Sequence, residues 1–141
     1  MKAFTQNRVS EVHLLGTSGY GYGDLGRDTL DSVFSQITGA QDAIVRHHFA
    51  SGTATIATAL FGILRPNDKM VCLTGMPYDT LHSVIGINSQ NNVGSLKDFG
   101  IIYEQVELLK DLTVDKISIP NAVKGAKIAY IQRSRGYSLR P

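Results

Sequence analysis

At 141 residues, with 43% hydrophobic and 18% charged residues, the chain has room for one domain with a single core and not for two. A net charge of +2, no apolar run near the length of a membrane span and no basic-then-apolar leader argue against a membrane protein and for a cytoplasmic one. The single Cys72 sits in the apolar run Met70-Val71-Cys72-Leu73, so it has no internal disulfide partner and reads as a small buried hydrophobe.

Taken in chain order, residues 1–11 read as the end of a helix and Val12 to Leu15 as a short extended run. The loop GTSGYGYGDLGRD from Gly16 to Asp28 follows, with glycines for unusual backbone angles and the hydroxyls and flat faces of Tyr20 and Tyr22. Leu30, Val33, Phe34 and Ile37 then fall at helical spacing, with Asp28 and Asp31 near the positive end and Gly39 as the stop. Ile44, Val45 and Phe49 predict a buried strand, and Ile56, Ala57, Leu60, Phe61 and Leu64 predict a helix halted by Pro66. Lys69 to Thr74, Ile101 to Val106 and Ala126 to Ile131 complete four predicted strands, and a short helix through Leu81, Val84 and Ile85 closes at Gly86. This alternation predicts an α/β domain with a parallel, two-sided sheet. The last predicted strand has no helix after it, so the doubly wound sheet reads as incomplete.

The stretch from His47 to Pro66 is the centre of the pattern, because it turns through Ser51-Gly52-Thr53 straight into a helix. First-turn amides and the helix dipole there suit an anion such as a phosphate, with Gly52 admitting a ligand to the backbone. The same residues also serve as an ordinary helix cap without any ligand. Tyr78 and Asp79 follow the strand Lys69 to Thr74, at the edge where open α/β sheets bind ligands. Asp79 reads equally as a cap or as a catalytic acid, and His82 as a ligand contact or a packing residue. Gly21 to Gly26 matches the G-x-G-x-x-G pattern of dinucleotide sites, but Tyr22 crowds the turn and Asp24 would repel phosphates. From Lys124 onward there are five basic residues and no acid, a surface charge with too few aromatic residues to predict nucleic-acid binding. No cluster predicts a metal.

These motifs resemble the aluminium-resistance or methionine γ-lyase-like family, relatives of cystathionine β- and γ-lyases among the fold-type-I pyridoxal-phosphate enzymes. The resemblance is carried by GTSGYGYGDLGRDTLDSVF, QDAIVRHHFASGTATIATALFGILRPND, GMPYDTLHSVIG and KIAYIQRSRGYSLRP. It implies an incomplete three-layer, doubly wound, mostly parallel sheet like the large cofactor-binding domain of aspartate aminotransferase-like enzymes. Residues 1–26 would form an N-terminal arm and Gly/Tyr-rich loop, and residues 27–141 part of that large domain, truncated at its C-terminus.

The resemblance further implies pyridoxal 5'-phosphate as cofactor, with its phosphate on Ser51, Gly52 and Thr53 and its ring stacked on Tyr78. Tyr20 and Tyr22 would belong to a loop that enters the neighbouring subunit's site. Tyr22 stands where many relatives carry arginine; Arg27 either compensates or makes a first-turn salt bridge. Arg135 lies in a basic loop at the edge of the site. The Schiff-base lysine is expected beyond residue 141, since none of Lys69, Lys97, Lys110, Lys116, Lys124 or Lys127 has a suitable context, so no catalytic residue is assigned in this chain. The implied activity is β- or γ-elimination on a small sulfur-containing amino acid, in a homo-oligomer, dimer or tetramer, that contacts neither nucleic acid nor membrane. The alternative is a non-catalytic module that binds phosphate-bearing ligands or merely oligomerises.

Overall fold

The computed structural model describes residues 1–20, 23–87 and 94–133, so Tyr22 and Arg135 lie outside the described residues. The chain divides into two compact units, Met1–Phe49 and Ala50–Pro141.

The first unit contains α1 (Lys2–Gln6), a 3-10 turn (Glu11–Leu14) and α2 (Leu25–Thr38). The turn replaces the extended run expected at Val12 to Leu15. It closes because the His13 amide donates to the Ser10 carbonyl at 3.1 Å, while the Ser10 amide donates back to His13 Nδ1 at 3.1 Å. Helix α2 runs where the periodicity predicts it. Asp24 caps it, its Oδ1 accepting from the Arg27 amide at 3.0 Å, and Gly39 ends it in the left-handed region at φ 72°.

The strand expected over Ile44 to Phe49 is not formed. A strand needs a neighbour for its amides, and the Val45 amide instead donates to Asp31 Oδ1 at 2.8 Å. Arg46 closes the same arrangement: its Nη1 and Nη2 donate to the two carboxylate oxygens of Asp31, both at 2.7 Å. A β-branched run is thus fastened to α2 by a side chain rather than entering a sheet.

The second unit holds α3 (Gly52–Ile63), β1 (Lys69–Cys72), α4 (Thr80–Ile85), β2 (Ile102–Gln105), α5 (Ile119–Ala122) and β3 (Ala126–Tyr130). Among the described residues, three of the four expected strands form, in a parallel sheet of order β2-β1-β3. Lys69 aligns with Ile102 on one side and Ala126 on the other, and Cys72 with Gln105 and Tyr130. Strand β1 is central and its last three residues are wholly buried, as its unbroken apolar run requires.

Alternation along β1 divides the core. Met70 packs with Leu60 and Leu64 from the α3 end and with Leu81 and Ile85 of α4. Val71 and Leu73 pack with Val106 and with Ile119 and Ala122 of α5. Both faces of the sheet are therefore covered by helix, as expected of an α/β unit. Cys72 is fully buried, its Sγ 4.0 Å from the Thr74 hydroxyl. Among the described residues, no helix is long and apolar enough to cross a membrane.

Candidate functional site

The helix half of the elbow forms as its sequence predicts, without the strand expected before it. Ser51 is extended at φ −157° and ψ 163°, and α3 begins at Gly52. The Ser51 hydroxyl accepts from the Ala54 amide at 3.1 Å, and its carbonyl accepts from the Thr55 amide at 3.0 Å. That leaves the Gly52 and Thr53 amides without an acceptor among the described residues. A Cβ built on Gly52 meets no atom within 4 Å, and its backbone angles do not demand glycine. Neither packing nor strain therefore explains this glycine, whereas close approach of a ligand to two unpaired first-turn amides would.

The second half of the site comes from the segment after β1. The Thr80 hydroxyl at the start of α4 lies 2.7 Å from the Thr53 hydroxyl in the first turn of α3. The two helix N-termini are thereby joined, and the Pro77-Tyr78-Asp79 segment is carried to the elbow. Tyr78 is half-buried and its amide donates to Gln132 Oε1 at 3.0 Å. The imidazole of His82 lies with Nε2 2.9 Å from the Pro77 carbonyl, so that nitrogen carries the proton and donates. His82 is thus a brace for the Tyr78 segment. Asp79 occupies the position before α4 but makes no capping hydrogen bond, and its side chain is exposed.

From the sequence Gln132 is only the first residue of a loop on the ligand-binding edge after the last predicted strand, with no role of its own. A glutamine two residues past a strand has no distinguishing pattern, and its importance appears only when β3 is seen beside β1. The order β2-β1-β3 reverses direction at β1, and Tyr78 and Gln132 both follow the carboxyl ends of strands there, which is where such sheets take ligands.

Tyr20 and Arg27 belong to the first unit. Tyr20 is 95% exposed. Arg27 Nε lies 3.6 Å from Asp28 Oδ1, the weak first-turn ion pair that the sequence offered as an alternative to a ligand contact. Arg27 also lines a cleft of about 920 Å³ with His13, Arg46, His47 and His48.

Of the Gly21 to Gly26 fingerprint, the part from Gly23 onward is described. The Thr17 hydroxyl donates to Asp24 at 2.6 Å and, with the Arg27 amide, holds that carboxyl below its ordinary range. Asp24 is thus an ionised cap for α2. Gly26 is needed for packing, since a Cβ there would stand 2.5 Å from the His13 carbonyl oxygen. Both features have a structural cause that involves no dinucleotide.

The family model described as methionine gamma-lyase matches residues 1–141. A protein from Clostridium acetobutylicum, provisionally assigned as a cystathionine beta-lyase involved in aluminum resistance, is 47% identical and superposes with a TM-score of 0.92. That match covers 99% of this chain and 34% of the other. A carbon-sulfur lyase involved in aluminum resistance from Clostridium novyi is also 47% identical, with a TM-score of 0.89, over 94% of this chain and 32% of the other. An uncharacterized protein of Bacillus subtilis, YnbB, is 43% identical over 142 residues, spanning 100% of this chain and 34% of that protein. The chain spans about a third of the length of each of these relatives.

Proposed function

This chain belongs to the methionine gamma-lyase family, and from that premise we propose that it forms the phosphate- and ring-binding part of a pyridoxal-phosphate-dependent carbon–sulfur lyase. The observation that carries the proposal is the pair of unpaired amides at Gly52 and Thr53, with open space above Gly52 and Tyr78 brought to the same edge. Related proteins named as lyases support the reaction class.

The residues fit the group. The Gly52 and Thr53 amides and the Ser51 and Thr53 hydroxyls would take the phosphate at the positive end of α3. Tyr78 would lie against the ring. When bound, the cofactor withdraws electrons from a substrate Cα and so makes its proton acidic. The contribution of this chain is to hold and orient. Its first-turn amides would hold the phosphate without reorganisation, and the braced Tyr78 segment would offer the ring a fixed surface. The lysine that carries the cofactor is assigned to the part of the relatives that this chain does not span.

On the same reading the domain is the N-terminal arm and part of the large domain of a cytoplasmic enzyme of the fold-type-I class. The whole enzyme acts on a sulfur-containing amino acid by β- or γ-elimination. It works as a homo-oligomer in which the Tyr20 loop serves the neighbouring subunit.

An absorbance titration of the purified chain with pyridoxal phosphate, followed by borohydride reduction and mass spectrometry, tests this. Saturable binding without a reduced lysine adduct, weakened in Ser51→Ala and Tyr78→Ala, is the expected result. A stoichiometric adduct at one lysine would overturn the assignment of that lysine elsewhere. Absence of binding would overturn the cofactor reading.

A further inference from the structure

Three segments meet behind Tyr78. The Thr74 hydroxyl accepts from the Gln132 amide at 3.1 Å and donates to the Gln132 carbonyl at 3.4 Å, so a side chain beyond β1 pins the backbone beyond β3. Thr74 is only 7% exposed, which removes water as a competitor for these bonds. With its backbone held, Gln132 turns its side-chain oxygen to the Tyr78 amide at 3.0 Å, and the Tyr130 hydroxyl donates to the same oxygen at 3.4 Å. The Tyr78 amide can only donate, so the atom facing it is the Gln132 amide oxygen and not the nitrogen, and the Tyr130 hydroxyl, able to donate, fits the same assignment.

We propose that Gln132 is a positioning residue: anchored on Thr74, it sets the depth and tilt of Tyr78 against the ring of a cofactor whose phosphate is held separately by the Ser51-Gly52-Thr53 elbow. The inference rests on the cofactor reading given above and adds a division of labour within it. The elbow belongs to α3 and binds the phosphate; the ring contact is governed from the end of β3. His82 fixes Pro77 and the Thr53–Thr80 pair fixes the start of α4, which leaves the Tyr78 amide as the point where Gln132 decides the backbone between them.

The separation is tested with Gln132→Met, which keeps the length of the side chain and removes its acceptor, and Gln132→Glu, which keeps the acceptor. Three quantities are measured on the whole chain: hydrogen–deuterium exchange at the Tyr78 amide, affinity for inorganic phosphate, and affinity for pyridoxal phosphate with the visible circular dichroism of the bound form. In Gln132→Met the Tyr78 amide should exchange roughly tenfold faster and pyridoxal phosphate should bind roughly tenfold more weakly, with its visible dichroism lost, while phosphate affinity stays within about twofold. Gln132→Glu should restore slow exchange and the dichroism. Far-ultraviolet dichroism confirms that both variants are folded, and because phosphate binding reports on the elbow, a variant that loses phosphate and cofactor affinity equally would overturn the positioning role. Wild-type exchange and dichroism in Gln132→Met would overturn it too, leaving the cofactor reading standing. If the wild-type chain binds neither ligand, the cofactor reading falls and the positioning role falls with it.

Discussion

The hydroxyl oxygens of Thr53 and Thr80 lie 2.7 Å apart, one in the first turn of α3 and the other in the first turn of α4. One hydroxyl donates to the other, so the pair keeps one further proton to offer a ligand. The contact ties the start of α4, whose Leu81 and His82 amides are taken by the Tyr78 and Asp79 carbonyls, to the first turn of α3, where the Gly52 and Thr53 amides have no acceptor among the described residues. Thr80→Val removes the link while keeping the side chain's shape. It should cost about 0.5–1.5 kcal/mol of stability and weaken phosphate binding several-fold, as read by urea unfolding and by calorimetric titration with inorganic phosphate.

Ser51 and Gly52 separate cap from ligand contact. Ser51→Ala removes the acceptor for the Ala54 amide, so it should lower stability by about 1 kcal/mol whether or not a ligand exists. Gly52→Val puts its Cβ where no atom lies within 4 Å, at a backbone position that does not demand glycine, so it should cost little stability. If the elbow holds a phosphate, Gly52→Val should abolish pyridoxal phosphate binding. Full affinity in Gly52→Val would assign Ser51 to capping alone.

The Asp31–Arg46 pair predicts a pH dependence. Arg46, through two hydrogen bonds, is the main cause holding the Asp31 carboxyl below its ordinary value. A carboxyl depressed on folding contributes stability that is fully present above its unfolded value, about pH 4, and is lost as pH falls through the lower folded value. Asp31→Asn should therefore lower the thermal midpoint by a few degrees at pH 7, and the difference from wild type should vanish as pH drops below that window. Parallel melts from pH 7 to pH 2 decide it.

Gly26 is held by sterics. An alanine Cβ would stand 2.5 Å from the His13 carbonyl oxygen, inside contact distance, and the atom that must shift is backbone rather than the end of a flexible side chain. Gly26→Ala should destabilise the first unit by about 1–3 kcal/mol, seen as faster amide exchange through α2. A variant as stable as wild type would show that the loop yields more easily than its geometry indicates.

Much of this was legible in the residues. The spacing of Leu30, Val33, Phe34 and Ile37 located α2, and Gly39 and Gly86 stop their helices in the left-handed region, at φ 72° and 94°. The apolar run at Met70 to Leu73 is the central strand. Local pattern failed where a side chain intervened. Val45 has the β-branched surroundings of a strand, but Asp31 takes its amide. Leu14 looks extended, but Ser10 and His13 close a turn beneath it. The elbow could be singled out because Ser-Gly-Thr ahead of a helical apolar spacing is a helix-start pattern, although the strand expected before it does not form, and Tyr78 and Asp79 because they follow the apolar run of β1. Gln132 could not, since its role comes from a parallel neighbour that only the fold supplies.

The arrangement β2-β1-β3 bears on how the molecule assembles. Strand β1 is made first but has no sheet partner until β2 and then β3 have been formed, and both pairings are parallel and distant in sequence. Closing such loops costs entropy before any contact repays it, so the sheet should form slowly. Because Gln132 follows β3, Tyr78 reaches its braced position only when the last strand docks. Refolding followed at the Tyr78 amide should lag behind the protection of α3.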